Sequence, residues 1–201
     1  MKILLLDADG VVLKKGEYFS ERFAREHNVP LEDVLEFFKG PFAACQRGEA
    51  DLKEEIKPYL EKWKWEGSTD DFLDYWFKSD VVLNPGIEEV ISAYKEKGVK
   101  VYLASNNEKY RAKAIEDLLN QNNLLDGVYF SSHLKMRKDN PAFFEHILED
   151  LEVQPNEVAF VDNDEKNVES AVSLGIDARL YNPEILRELA EDTTESKIKF
   201  I

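Results

Sequence analysis

Cysteine is nearly absent from this 201-residue chain. The single one, Cys45, excludes an internal disulfide framework and a four-cysteine zinc site. No sequence feature marks a base for it, so Cys45 reads as a small, half-buried residue and not as a nucleophile. Long apolar runs are missing too. The opening Met1-Lys2-Ile3-Leu4-Leu5-Leu6 meets an acid at once and is too short for a signal-peptide core. No later stretch reaches membrane-spanning length. The expectation is a cytoplasmic protein without a membrane partner. Positive charge is scarce: 26 Lys and Arg face 41 Asp and Glu, for a net −15. Such a field disfavours nucleic acid and anionic membranes as partners, because both need positive patches. The three histidines, His27, His133 and His146, carry no metal-ligand spacing.

What the chain does have is a short apolar run that ends in acid. Ile3-Leu4-Leu5-Leu6 is too short for an ordinary helix and is bounded by a turn signal, so it reads as a buried strand. Asp7 and Asp9 follow, two residues apart. In extended backbone both side chains point to one side. Two carboxylates there repel unless a cation neutralises them, and Mg²⁺ suits hard oxygen ligands. Gly10 allows a sharp turn directly after them. The pattern outlines a metal-dependent phosphoryl-transfer site. The plainer reading is an ordinary turn, since Asp and Gly are common turn residues.

Beyond the first strand the rhythm changes twice. From about residue 17 to residue 80 there are no β-branched strand runs, and helical periodicity dominates. Phe19, Phe23 and Ala24 form one stripe, and Val34, Leu35, Phe37 and Phe38 another. Further helices are expected over residues 49–63 and 69–77, with Ser68 to Asp71 as an N-cap region for the latter. Gly40-Pro41-Phe42 and Gln46-Arg47-Gly48 read as breaks between helices. The stretch is rich in aromatics, most of them expected in a small helical core, with one or two facing a ligand. From Asn84 onward helices and strands alternate. Strands are expected over residues 99–104, 127–131, 158–161 and 177–180, and helices over 85–98, 108–122, 141–151 and 165–174. Alternation of this kind argues for a Rossmann-like parallel sheet with helices on both faces. The first strand must join that sheet, so the helical stretch is an insertion. The expected division is a core of residues 1–14 and 81–201, and an inserted α-helical cap of residues 15–80. Ile198-Lys199-Phe200-Ile201 suggests an edge strand.

Ligands of open parallel sheets bind at the carboxyl ends of the strands. The first end delivers Asp7 and Asp9. The second delivers Ser105-Asn106-Asn107, a hydroxyl with backbone N–H groups that can hold a phosphoryl oxygen, or simply an N-cap. The third leads into the basic run from Ser131 to Lys138, where a lysine can pair with Asp7, or where charges are merely solvated. The fourth ends in Asp162-Asn163-Asp164-Glu165, an acid to complete a metal site or a helix cap. Each signal alone is weak. Acid pair, hydroxyl, lysine and acid in that order are strong together.

The stretches LLLDADGVV, VYLASNN, KMRKDNPAFFEHIL and VAFVDNDEKNVESAVSLGI resemble the haloacid dehalogenase superfamily, in the subgroup with a helical cap after the first strand. CQRGE resembles part of the cap of sugar-phosphate phosphatases of that type. The resemblance implies an α/β phosphatase with Mg²⁺ as cofactor and a small phosphorylated substrate, a sugar phosphate or a nucleotide. Asp7 would be the nucleophile and form an aspartyl phosphate. Asp9 would protonate the leaving oxygen and then activate water, and its carbonyl would bind Mg²⁺. Ser105 and the Asn106 N–H would hold the phosphoryl group. Lys138 would orient Asp7. Asp162 would complete the Mg²⁺ site, with Asn163 as a further metal residue. Two departures stand out: Asp162-Asn163 where the family often has two acids, with Asp164 as an alternative ligand, and Lys138-Asp139 where it often has Lys-Pro. Gln46 or Arg47 would contact the leaving group, although Arg47 pairing with Glu49 at the surface is an equal reading. Alternatives are a phosphomutase on the same scaffold and a binding protein that has lost catalysis. Receiver domains share the Asp, Mg²⁺, hydroxyl and Lys, but place the accepting Asp after a later strand and carry no cap. Monomer and homodimer are both compatible with the sequence.

Overall fold

The computed structural model describes residues 1–185. The chain opens with β1 (Ile3–Leu6), then passes through five helices: α1 (Phe19–His27), α2 (Leu31–Lys39), α3 (Phe42–Gln46), α4 (Leu52–Lys62) and α5 (Thr69–Asp80). It continues through α6 (Ile87–Glu96), β2 (Lys100–Ser105), α7 (Lys109–Gln121), β3 (Gly127–Phe130), α8 (Ser131–Leu134), α9 (Ala142–Asp150), β4 (Val158–Asp162), α10 (Glu165–Val172) and β5 (Asp177–Leu180). The expected edge strand at Ile198 to Ile201 lies outside the described residues.

All five strands are parallel, in the order β3-β2-β1-β4-β5. Their side chains alternate between two cores. Leu4, Leu6, Val101 and Leu103 pack with Ile91 and Tyr94 of α6 and Ile115 of α7. Ile3, Leu5, Tyr102 and Phe160 pack with Phe143, Phe144 and Ile147 of α9 and Ala171 of α10. A sheet covered on both faces needs apolar residues at nearly every central position, which is why β1 reads as an unbroken apolar run. From β1 the chain builds outward through β2 and β3, then returns to add β4 and β5 on the other side. This topological switch brings the carboxyl ends of β1, β2 and β4 side by side.

The inserted helices have an aromatic core of their own. Phe23, Phe37 and Phe72 are fully buried there with Val34 and Ile56. Two boundaries of the insertion shift by three residues from the sequence expectation. The helix expected over 49–63 starts later, because the Asp51 carboxylate accepts from Lys53 N at 2.8 Å and caps α4. α5 runs three residues further than expected, to Asp80, where the Trp76 indole N–H donates to Asp80 Oδ2 at 3.0 Å. The expected breaks at Gly40 and Gly48 are present, with the short α3 between them. The α8 turn was not expected. Among the described residues no helix is long and apolar enough to cross a membrane.

The insertion meets the core at a tight seam. Ser131 Oγ donates to the Gln46 carbonyl at 2.6 Å. Gly48 adopts φ +66°, and a Cβ there would lie 2.2 Å from the Ser132 carbonyl oxygen. Only glycine fits both the backbone conformation and the contact. Gly48→Ala is expected to lower the melting temperature by several degrees, whereas Gly16→Ala, in open space, shifts it little. Thermal melts of the two variants check this, and equal shifts would contradict the seam argument.

Candidate active site

The site begins where β1 stops. Asp7 N still pairs with the Val161 carbonyl at 2.9 Å, but the chain then folds back, with Leu13 N donating to the Ala8 carbonyl at 2.7 Å. The turn changes one expectation. Asp7 and Asp9 do not share one environment, because the extended backbone needed for that ends before Asp9. Asp7 is buried, while the Asp9 side chain keeps 53% of its surface exposed. Each carboxylate has its own cation.

Asp7 is held by Lys138, which reaches in from the loop after α8. The Lys138 side chain is fully buried. Its Nζ donates to Asp7 Oδ1, to Asp162 Oδ2 at 2.6 Å and to the Ala104 carbonyl at 3.0 Å. Burial works against the lysine's charge, yet the Asp7 and Asp162 carboxylates outweigh it and hold its pKa above the ordinary value. Two buried carboxylates for one ammonium leave a net negative charge. Burial, reinforced by repulsion from Asp162 and Asp9, outweighs Lys138 and pushes the Asp7 pKa up to about 7. Asp162 is fixed further by Asn167 Nδ2 at 3.0 Å and by Asp164 N at 2.8 Å.

Asp9 is gripped by Arg111, a residue the sequence reading missed. Arg111 Nη1 donates to Asp9 Oδ2 at 2.8 Å and Nη2 to Oδ1 at 2.5 Å, a two-pronged pair. Desolvation in the cleft raises the Asp9 pKa, but Arg111 more than offsets it and holds the carboxyl below its usual value. α7 delivers the arginine. Its N-cap, the buried Glu108, accepts from Tyr110 N at 2.8 Å and Arg111 N at 2.6 Å. Arg111 also donates to Asn107 Oδ1 at 2.6 Å, and Asn107 Nδ2 donates to Ser105 Oγ at 2.7 Å. A signal was available in the sequence: Lys109 and Arg111 sit in a helix's first turn, where the helix dipole disfavours cations.

The remaining candidates divide. Ser105 is buried at the end of β2, and Asn106 Oδ1 accepts from Lys138 N at 3.0 Å, tying the second strand end to the lysine loop. Gln46 reaches the site, donating from Nε2 to the Asn106 carbonyl at 3.1 Å and accepting from Arg137 at 2.5 Å. Arg47 does not: its guanidinium pairs with Glu49 Oε2 at 2.8–2.9 Å, away from the cleft. Asp164 caps α10, its Oδ1 accepting from Lys166 N at 3.0 Å. Cys45 is buried, and burial pushes its thiol up to about 12, so it stays protonated.

The expected metal residues Asp7, Asp9, Asp162 and Asn163 do not gather as a cage of side chains. Among the described residues no three acidic, histidine or cysteine side chains group to hold an ion. The Asp9 carboxylate is turned to Arg111, and Asn163 offers its amide nitrogen, donating to the Asp9 carbonyl at 2.6 Å. Gly10, at φ +83°, leaves room for that amide; a Cβ would meet Asn163 Nδ2 at 2.6 Å. What remains is two buried carboxylates, a carbonyl with a second lone pair, and an excess of negative charge. That donor set fits a hard divalent cation which keeps several waters.

The sequence pattern that defines the haloacid dehalogenase-like hydrolases matches residues 1–175. The chain belongs to this family. It is 28% identical over 187 residues to a phosphorylated carbohydrates phosphatase of Thermotoga maritima, covering 90% of this chain and 84% of that one. Its fold is similar to a HAD family enzyme from Bacteroides thetaiotaomicron solved with magnesium and inorganic phosphate, with a TM-score of 0.75, 22% identity and coverage of 90% and 94%. A predicted HAD-like hydrolase from Porphyromonas gingivalis gives a TM-score of 0.76 at 20% identity, covering 94% and 98%.

Two predictions follow from the charges of this hydrolase. A raised Asp7 pKa favours the protonated fold, so its stabilising effect is complete below the unfolded value near 4 and is lost as pH rises through about 7. In metal-free buffer Asp7→Asn is expected to melt several degrees above the parent at roughly pH 8 and to converge with it near pH 4. A parent that melts higher at the alkaline end would contradict the charge balance. Arg111→Met is expected to lower kcat/KM by about 10–100-fold, with Arg111→Lys between, because lysine keeps the charge but loses the fork. Steady-state kinetics of the two variants decide it; unchanged rates would remove Arg111 from the site.

Proposed function

We propose that this hydrolase is a Mg²⁺-dependent phosphatase of small phosphorylated metabolites, working through an aspartyl phosphate. The observation that carries the proposal is Asp7 at the end of the central strand, anchored by a buried lysine that it shares with Asp162. Lys138 occupies Asp7 Oδ1, and Oδ2 has no side-chain partner among the described residues. That oxygen attacks phosphorus. The ester P–O bond breaks, and Asp9 gives a proton to the departing alkoxide. Asp9 then takes a proton from water, whose oxygen bonds to phosphorus as the Asp7–phosphorus bond breaks, releasing inorganic phosphate and restoring the Asp7 carboxylate and the protonated Asp9. The pair with Arg111 favours the anion of Asp9, the form that takes the water proton in the second step, and it must loosen for Asp9 to carry the proton it gives in the first. Ser105 Oγ and the Asn106 N–H receive phosphoryl oxygens, and Lys138 offsets charge while fixing Asp7.

Asp7, Asp162 and the Asp9 carbonyl would hold Mg²⁺, which supplies electrostatic neutralisation of the phosphoryl group. Support for the metal comes from the magnesium and phosphate bound to the Bacteroides enzyme, and support for phosphatase chemistry from the Thermotoga relative. In this reading residues 15–80 form a cap over a core built from residues 1–14 and 81–201. The substrate classes at issue are sugar phosphates and nucleotides.

Phosphate release from a panel of phosphorylated metabolites with Mg²⁺ tests the proposal. The expected result is turnover that falls by at least about 10³-fold in Asp7→Asn and is abolished by a chelator. Turnover that survives Asp7→Asn, or a folded protein that releases phosphate from nothing, overturns it.

A further inference from the structure

A cavity of about 760 Å³ lies between the inserted helices and the strand ends. The core side supplies Asp9, Asn106 and Arg111. The insertion supplies Phe19, Leu35, Phe38, Phe42 and Trp76. These four rings form one packed wall around Trp76. Phe19 stacks on it at 4.9 Å and 19°, Phe38 meets it edge-on at 5.1 Å and 87°, and Phe42 lies 5.6 Å away. Phe38, Phe42 and Leu35 are only half-buried, so their unburied surface faces the cavity they line.

Several polar groups beside this wall are already engaged, while Arg22 Nε and Nη2, on the same cavity, are buried with no hydrogen-bond partner among the described residues. The Trp76 N–H donates to Asp80, and Ser79 Oγ donates to Asp80 Oδ1 at 2.9 Å. The Gln46 amide is taken by Asn106 and Arg137, and Glu17 pairs with Arg25. A polyhydroxylated ligand recognised here would need free amides and carboxylates to replace its water, since unpaired buried hydroxyls are costly. Ring edges and faces reward apolar surface instead. The volume lies within the range of roughly 300–1,000 Å³ typical of pockets for drug-sized ligands. Lys14, Lys15 and Lys39 also line the cavity, carry no ion pair among the described contacts, and supply local positive charge for a phosphate in an otherwise acidic protein.

We infer that the alcohol half of the substrate is a bulky hydrophobic or flat aromatic group packed on the Trp76 wall, and that a free sugar phosphate is the poorer ligand. The inference rests on the proposed phosphatase reading, with the phosphate end directed to Asp7 and the hydrophobic end to the insertion.

The test compares 1-naphthyl phosphate with glucose 6-phosphate, both in the presence of Mg²⁺. Calorimetric titration of Asp7→Asn measures binding without turnover, and kcat/KM of the parent measures hydrolysis. The expected result is a preference of about tenfold or more for the naphthyl ester in both, on the scale that burying one ring provides. Introducing Phe38→Ser should erase most of that preference, and Phe38→Leu should keep most of it. Glucose 6-phosphate binding as well as the aryl ester, a preference indifferent to Phe38→Ser, or binding of neither compound overturns the inference. Failure of the phosphatase reading looks different: the aryl ester then binds with the Phe38-dependent preference, but the parent releases no phosphate.

Discussion

Lys138 is the charge on which the site depends. One buried ammonium is shared by Asp7, just after β1, and Asp162 from β4, and it donates also to the Ala104 carbonyl near the end of β2. Without it, two desolvated carboxylates would face each other at adjacent strand ends, an arrangement that costs several kcal/mol per uncompensated ion. With it, the three central strands end at one electrostatic knot. The compensation remains incomplete, and the residual negative charge is what suits the knot to a divalent cation.

The core was legible because its signals are local. β1 is a four-residue apolar run with a turn behind it, and the later strands are separated by helices with recognisable beginnings. Reading the strand ends in order gave Asp7, Ser105, a lysine within the Ser131–Lys138 run and Asp162, and only the family resemblance singled out Lys138. Arg111 escaped, because its partner lies 102 residues away and nothing at the strand ends announces it. Arg47 and Gln46 show the opposite limit. Adjacent in sequence, they point to different worlds: one pairs with a neighbouring glutamate at the surface and the other bridges to the core. Which of two successive residues faces a cleft depends on the register of α3, a five-residue helix too short to show a period.

The aromatic insertion was legible as a core and less so as a wall. Counting rings cannot separate Phe23 and Phe72, which are fully buried, from Phe38 and Phe42, which also line the cavity. The same packing that stabilises the helices makes those two rings rigid. A surface built this way spends little entropy when a ligand settles on it, since the side chains are already ordered by their neighbours. Stability of the insertion and shape of the cavity therefore come from the same contacts.

Gln46 has a consequence for how such a chain can change over generations. Its amide joins the Asn106 carbonyl to Arg137, its own carbonyl receives Ser131, and Asn106 holds the backbone of Lys138. Three segments distant in sequence, at Gln46, Asn106 and Ser131 to Lys138, are thus tied around one residue. Substitution at any of these positions is felt by the others, so they are free to drift only as a set. Insertion residues that meet only solvent are under no such bond, and can be rewritten while the knot beneath them is inherited intact.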